Sequence, residues 1–292
     1  MLLSVTPKGR NAYQYLMIQI NIKKSLFLFG LIMVIGIIQA QKKDKLYTSL
    51  AEALKTPTQV TMLSLKGQGL KTLPIDIEKL SNVEVLDLSY NTFATVPVQI
   101  FKLPKLKILY LNNNALASLP DMSGLHSLTM LRLDANPFTN PLADLKKVST
   151  ISTLTTLNFS ANKVSAFPDE LLKLTNLVDL DLGFGAIKTL PTNIDKLQNL
   201  KRLVLIKNPI TSFPSGFFNL PKLENLDLSY CDFKVLQPEF TKLHLNVIDV
   251  SYNKNLIEIP AIQGMRYANV KNTKVDIEKL KWTLGESCMI MM

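Results

Sequence analysis

A pattern of apolar residues that recurs every 23 residues constrains this chain more than any other feature. The segment 177–197 reads LVDLDLGFGAIKTLPTNIDKL, and its apolar positions return from Leu200 and again from Leu223. A fixed period between about 20 and 50 residues is typical of a stacked solenoid, in which each repeat packs only against its neighbours. We therefore expect a solenoid in place of one globular core.

Ten copies of the pattern, which we call coils, follow one another over residues 60–275. Written as L-x-x-L-x-L-x-x-N-x-L-x-x-L-P-x-x-I-x-x-L, they begin at Val60, Val83, Leu106, Leu128, Leu154, Leu177, Leu200, Leu223, Leu245 and Met265. The L-x-L centre predicts a short strand whose alternate side chains point into the core. Strands stack ~4.8 Å apart, and the segments opposite them are bulkier, so we expect the stack to bend with its sheet on the concave side.

This pattern resembles the leucine-rich repeat family over residues 60–275, in the 23-residue form that contains Leu-Pro. That form looks most like the repeats of Ras-binding and cell-polarity scaffold proteins and of many secreted bacterial proteins. The resemblance implies an α/β fold of about ten coils. It implies a curved right-handed solenoid with a parallel β-sheet on the concave face and irregular or short helical segments on the convex face.

An asparagine stands at the same position of six coils, where a buried amide can both donate to and accept from the backbone of adjacent coils. The six are Asn91, Asn114, Asn136, Asn162, Asn208 and Asn253. Gly185, Cys231 and Thr273 replace it in three other coils. We expect Cys231 to be a buried, unreactive residue of this ladder, because apolar surroundings raise the pKa of a thiol.

Residues 1–40 have the pattern of a secretory signal peptide. Two lysines precede an apolar core at 26–38, and a small residue, Ala40, marks the expected cleavage point. The core is shorter than the ~20 residues of a membrane-spanning helix. We therefore predict a secreted, periplasmic or outer cell-surface protein from a bacterium, with no transmembrane span after cleavage. An uncleaved anchor helix is the alternative, and the start could be Met1 or Met17.

The segments that flank the coils are predicted to cap the two ends of the solenoid. Residues 41–59 form the N-terminal cap, whose helix presents one apolar face made of Tyr47, Leu50, Ala51 and Leu54. Ser49 with Glu52 three residues later is typical of a helix N-terminus. Residues 276–292 form the C-terminal cap and tail, with a helix that ends at Gly285. The role of the apolar tail from Cys288 to Met292 is left open.

Few residues have the chemistry that a catalytic or metal site requires. The chain has two histidines, His126 and His244, and the sequence offers no glycine-rich phosphate loop and no metal-ligand spacing. We expect neither catalytic nor metal nor cofactor-binding residues, and a hydrolase is the least favoured function. The net charge is +10, but an exported chain is an improbable partner for nucleic acid.

The predicted concave face carries aromatic and charged residues among small polar ones, which is typical of protein-binding surfaces. We expect a protein partner there, and a glycan or envelope polymer is the alternative; a merely solvated surface is the third interpretation. The candidate partner-binding residues are Tyr90, Tyr110, Arg132, Asp179, Asp181, Phe184, Arg202, Lys207, Asp227, Tyr230, Asp249 and Tyr252. The strongest local group runs from Asp179 to Lys207.

Overall fold

The structure is a computed structural model that describes residues 45–285 and 287–292. Residues 46–292 form one compact unit. The expected signal peptide, its cleavage after Ala40 and the choice between Met1 and Met17 all lie outside the described residues.

Among the described residues, twelve short parallel strands form a single sheet, in which each strand pairs with the next one along the chain. They are β1 Leu46–Tyr47, β2 Met62–Ser64, β3 Val85–Asp87, β4 Ile108–Tyr110, β5 Met130–Arg132, β6 Thr156–Asn158, β7 Asp179–Asp181, β8 Arg202–Val204, β9 Asn225–Asp227, β10 Val247–Asp249, β11 Tyr267–Asn269 and β12 Met289–Met291. Strands β2 to β11 are the ten predicted coils, so the expected α/β solenoid with a parallel sheet is confirmed.

The two outermost strands correct the interpretation of the chain ends. Tyr47 is buried in β1, which pairs with β2, and its hydroxyl group contacts that of Thr56 at 3.0 Å. Its predicted place in a helix was wrong. The apolar tail is also part of the sheet, because Met289, Ile290 and Met291 pair with β11. The sheet therefore extends one strand beyond the repeat pattern at each end.

The described part of the chain contains three α-helices, which lie among the repeats and at the ends: α1 Leu50–Ala53, α2 Pro141–Val148 and α3 Ile277–Leu284. In α1 the Ser49 hydroxyl accepts from the Glu52 N–H group at 3.4 Å, but Ala53 is buried in place of the predicted Ala51. Helix α2 lies where the fourth coil is longer than the others. The end of α3 at Gly285, with φ of 80°, agrees with the prediction.

Short 3-10 helices form most of the convex side. They are Pro57–Gln59, Ile75–Lys79, Val98–Lys102, Asp169–Lys173, Ile194–Lys196, Ser215–Asn219 and Pro238–Lys242. Several follow a proline, such as Pro74 and Pro97, whose fixed φ turns the chain out of the strand direction. These segments are wider than the strands opposite them, which is the physical reason for the bend toward the sheet.

The core lies between the sheet and the convex segments and is filled by the repeated leucines. Leu63, Leu86 and Leu109, each the middle residue of its strand, are fully buried and lie side by side in adjacent coils. Toward the C-terminal half the core becomes aromatic. The Phe217 ring contacts those of Phe213, Phe218 and Phe240 at centroid distances of 4.3, 5.5 and 5.9 Å.

The asparagine ladder joins each coil to the one before it. The Asn253 amide nitrogen donates to the carbonyl groups of Leu228 and Val250 at 2.9 and 2.7 Å. Its oxygen accepts from the N–H groups of Cys231 and Phe233 at 3.2 and 2.9 Å. A buried amide with these partners has the structural role that the sequence predicts.

Two residues show what happens where the ladder asparagine is replaced. Burial raises the pKa of the Cys231 thiol to about 12, and its sulfur donates to the Leu205 carbonyl at 3.3 Å. Cys231 is thus a ladder residue, as predicted. At Gly185 a Cβ atom would lie 2.7 Å from both the Val164 carbonyl oxygen and the Asn208 side-chain oxygen. The packing of that coil therefore excludes a side chain.

Candidate functional site

Two columns of side chains flank the buried middle residues of the strands and face away from the core. The register of neighbouring strands places Asp179 beside Arg202 and Asp249 beside Asp227. The first column contains Met62, Val85, Ile108, Met130, Thr156, Asp179, Arg202, Asn225, Val247 and Tyr267. The second contains Ser64, Asp87, Tyr110, Arg132, Asn158, Asp181, Val204, Asp227, Asp249 and Asn269. These columns form the concave face.

A third row of side chains, the rim, follows the strands at the first turn. Its residues have left-handed backbone conformations, with φ between 54° and 61°, in Tyr90, Asn113, Ala135, Ala161, Phe184, Lys207, Tyr230, Tyr252 and Asn272. From Tyr90 to Tyr252, each of these residues donates its N–H group to a carbonyl of the next coil; the Tyr230 N–H group, for example, donates to the Ser251 carbonyl at 3.0 Å. A bulky residue is uncommon in this conformation, and these hydrogen bonds hold the backbone of the rim in it.

Aromatic and cationic side chains of the rim contact one another. The rings of Tyr230 and Tyr252 stack with centroids 4.2 Å apart and planes 7° apart. The Lys207 ammonium group lies 5.5 Å from the centre of the Phe184 ring. These four predicted residues thus form a continuous ridge on successive coils. Tyr90, by contrast, lies beside Lys66 near the N-terminal end, far along the sheet from the ridge.

Ion pairs hold the two arginines of the concave face. Arg202 donates to the Asp179 carboxylate at 2.7 Å, and both side chains are less than one-fifth exposed. Arg132 forms a two-pronged pair with Asp134, with nitrogen–oxygen distances of 3.0 and 3.1 Å. Asp134 was not among the predicted residues, although its position two residues after Arg132 could have suggested it.

The aspartates of the second column have a structural role that the sequence analysis missed. One oxygen of Asp227 accepts from the Ser229 N–H and hydroxyl groups at 2.9 and 2.7 Å. Asp249 does the same for Ser251, and Asp87 for Ser89. The recurring Asp-x-Ser spacing was the signal for this turn cap.

The carboxylates of strands β7 to β10 form what we call the acidic patch: Asp179, Asp181, Asp227 and Asp249. Burial raises the pKa of Asp181 to about 6. Burial, together with the nearby charge of Asp249, also raises the pKa of Asp227 to about 6. The Arg202 guanidinium opposes these shifts at Asp179, Asp181 and Asp227. Arg132, which pairs with Asp134, opposes the shift at Asp179 as well, and the four carboxylates still carry more negative charge than Arg202 balances.

These shifts predict a pH-dependent stability. The pKa of Asp181 and Asp227 rises from 3.8 to about 6 on folding, so the folded state binds protons more tightly between about pH 4 and pH 6. The contribution that Asp181 and Asp227 make to the free energy of unfolding is therefore present at low pH and is lost as the pH rises through that window. We expect the double variant Asp181→Asn/Asp227→Asn to be more stable than wild type at pH 7.5, with a gain that disappears near pH 4.

Urea unfolding at the two pH values measures this difference. Asparagine keeps the turn cap, as Asn158 does when its side chain accepts from the Ser160 N–H group at 3.0 Å. The double variant therefore removes the two charges without removing the hydrogen bonds that cap the turns. An equal gain at pH 4 and pH 7.5 would contradict the raised pKa values.

An apolar stripe occupies the first column over the other half of the sheet. It consists of Leu46, Met62, Val85, Ile108 and Met130, which are directly paired across strands β1 to β5. Leu46 is 51% exposed, and the next three are partly exposed. The repeat register places Met62, Val85, Ile108 and Met130 in an outward column, but they were not among the predicted site residues.

The structure therefore places only some of the predicted residues close to one another. Those from Asp179 to Tyr252 lie on four adjacent strands and their turns, whereas Tyr110 and Arg132 lie nearer the apolar stripe. Asp249 is only 6% exposed, so its face is largely covered by its neighbours. Burial raises the pKa of the Tyr110 hydroxyl group, which lies 3.8 Å from the Met130 sulfur.

The described residues offer little that resembles an enzyme site. His126 and His244 are both exposed and lie on segments that connect to β5 and β10. Within 45–285 and 287–292, no group of three or more His, Cys, Asp or Glu side chains is placed to hold a metal ion. None of the helices in those ranges has the length and apolar character needed to cross a membrane.

Comparison with known proteins identifies similar sequences and folds. Leucine-rich repeat profiles match residues 58–116, 81–138 and 222–243. An adenylate cyclase of Podospora anserina is 37% identical over 86 residues, which are 29% of this chain and 4% of that protein. The chain therefore spans a small fraction of that curated relative.

Two solved structures share the architecture. The leucine-rich repeat domain of the type III effector XopL aligns over 69% of this chain and 73% of that chain, with 25% identity and a TM-score of 0.57. The Arabidopsis receptor kinase HAESA, in complex with the peptide hormone IDA and the co-receptor SERK1, aligns over 75% of this chain and 39% of that chain. Its identity is 26% and its TM-score is 0.59.

The coil register, the asparagine ladder, the profile matches and these structural neighbours agree with one another. The chain has the leucine-rich repeat solenoid fold, and leucine-rich repeat profiles match its residues 58–138 and 222–243.

Proposed function

We propose that this chain is a non-catalytic, exported protein that binds a protein partner through its concave face. The observation that carries the proposal is the composition of that face. It combines an apolar stripe, partly exposed, with an acidic patch whose charge one arginine does not balance. The core requires neither feature. When a complementary surface packs on the concave face, the stripe is removed from water and the charge of the patch is neutralised.

The solved relatives support a binding role. HAESA is in complex with a peptide hormone and a co-receptor, which is a property of that receptor kinase. Rigid solenoids also provide extended concave surfaces whose shape changes little on binding. The rim turns of this chain, fixed by backbone hydrogen bonds between coils, supply that rigidity.

Export, from a bacterium, is part of the same proposal. It depends on the signal-peptide pattern of residues 1–40, where the small residue Ala40 follows a short apolar core. Expression of the full chain in a bacterial host should give a secreted or periplasmic product that begins at Gln41, as its intact mass would show. A product that keeps residues 1–40 would contradict cleavage and favour an anchor.

Affinity capture with the full chain tests the binding role. We expect a protein from native envelope material to be retained by wild type and lost by the triple variant Ile108→Thr/Asp181→Asn/Asp227→Asn. The substitutions preserve the fold, because threonine suits a strand and asparagine keeps the turn cap. Lys173→Glu on the convex side is the matched control and should capture as wild type does. Equal capture by the triple variant would contradict the role of the concave face.

The stacked pair Tyr230 and Tyr252 favours a second candidate function, binding of a glycan or envelope polymer. Tyr230 is 47% exposed, and its ring stacks on that of Tyr252. Flat aromatic surfaces bind sugar rings through apolar contact, while hydroxyl groups form hydrogen bonds. In glycan-array binding, this function predicts that Tyr230→Ala/Tyr252→Ala removes the signal and that Asp181→Asn/Asp227→Asn does not.

A further inference from the structure

The two halves of the concave face differ in chemistry, and this difference restricts what can bind. The apolar stripe covers β1 to β5, and no charged residue interrupts it in the first column. The acidic patch begins two strands later, at β7, and continues to β10. Between them lie Thr156 and Asn158 of β6, which are small and uncharged.

The charges of the concave face are unequally paired. Arg132 forms an ion pair with Asp134, and Arg202 forms one with Asp179. Asp181 and Asp227 have no basic group within 4 Å among the residues that the structure describes. The chain as a whole has a net charge of +10, so this local excess of negative charge is opposite in sign to the rest of the protein.

From these contacts we infer that the concave face binds an extended polypeptide segment with apolar side chains at one end and a basic side chain at the other. This inference rests on the proposed function and specifies its partner. The apolar end lies on the stripe, where it removes partly exposed methyl and thioether groups from water. The basic end lies between Asp181 and Asp227, where its charge offsets the repulsion that those carboxylates and Asp249 exert on one another.

Strand spacing sets the separation of the two ends. From Ile108 on β4 to Asp227 on β9 there are five strand steps, or roughly 24 Å at ~4.8 Å per step. An extended chain advances ~3.3 Å per residue, so the basic side chain follows or precedes the apolar group by about six to eight residues. Either chain direction of the bound segment satisfies this separation.

Selection from a displayed library of random peptides of about 12 residues tests this inference with the full chain. We expect enriched peptides to contain Arg or Lys about six to eight residues from an apolar cluster. On Asp181→Asn/Asp227→Asn the basic residue should no longer be enriched, while the apolar cluster remains. On Val85→Thr/Ile108→Thr the apolar cluster should no longer be enriched, while the basic residue remains. Lys173→Glu, on the convex side, should select the same peptides as wild type.

A selected peptide then allows a direct measurement of the charge pairing. Exchanging its basic residue for Glu should weaken binding to wild type by at least about tenfold, and Asp227→Lys should recover part of that loss. High salt should weaken the wild-type complex because the patch is partly exposed. Lack of enrichment, enrichment without a basic residue, or identical selection on the neutralised variant would each overturn the inference.

The outcomes separate this inference from the proposed function. If envelope capture depends on the concave face but the library shows no basic preference, the partner has another chemistry and only the inference fails. If capture is unchanged in the triple variant, the proposed function itself fails.

Discussion

Replacing Asn253 by alanine should lower the free energy of unfolding by more than about 3 kcal/mol. The side chain is fully buried, and its amide serves five backbone groups in two coils. Alanine leaves those groups buried without partners, and each unsatisfied group costs about 1–3 kcal/mol. Urea unfolding followed by far-UV circular dichroism measures the change.

Asn219→Ala is the matched control for this substitution. Asn219 is the exposed last residue of a convex 3-10 helix, so the same chemical change there should alter stability by less than about 0.5 kcal/mol. Similar losses for the two variants would mean that the buried amide is not responsible. If the array unfolds in two steps, the step that contains the C-terminal coils is the one expected to move.

The second large effect is expected at Phe217. Its ring is fully buried among those of Phe213, Phe218 and Phe240, which also contact one another. Truncation to alanine leaves a cavity between the convex segments of adjacent coils that the rigid strands cannot close. Phe217→Ala should therefore cost about 3–5 kcal/mol, measured by the same urea titration.

Phe184→Ala serves as the control, because the ring of Phe184 is 47% exposed and contacts Lys207 in solvent. Its loss should change stability by less than about 1 kcal/mol. A cost at Phe217 no larger than that at Phe184 would contradict the assignment of the phenylalanine cluster to the core. Because Phe217 does not lie on the concave face, partner binding by the folded fraction should be unchanged.

The repeat pattern was sufficient to predict ten strands, since a buried apolar residue stands at the centre of each and most successive centres are 23 residues apart. That residue is leucine in eight strands, and Ile248 and Ala268 take its place in the other two. It was insufficient at β1 and β12. Leu46–Tyr47 is a strand of two residues whose core position is occupied by Tyr47 in place of leucine, and helical spacing from Tyr47 onward masked it. The tail Met289–Met291 lacks any alternation of polar and apolar residues.

The candidate site was less predictable than the fold, because spacing gives the direction of a side chain but not its neighbours. Asp249 faces outward as expected, yet it is nearly buried, since its side chain caps Ser251 and accepts from Asn269. The pairing of Arg132 with Asp134 likewise depends on the turn after β5. The apolar stripe was visible in the sequence but had the same residue types as the core.

The replacement of the ladder asparagine by Gly185 has a consequence for how the molecule unfolds. At Cys231 a thiol still contacts the preceding coil, but glycine has no side chain that could bridge to it. In a one-dimensional array, cooperativity passes from coil to coil through each interface. The contact between the sixth coil and the preceding one is therefore weak and separates two cooperative units. Hydrogen exchange of backbone amides should report the opening of each unit separately. A segment bound across both halves of the concave face would couple these units into one.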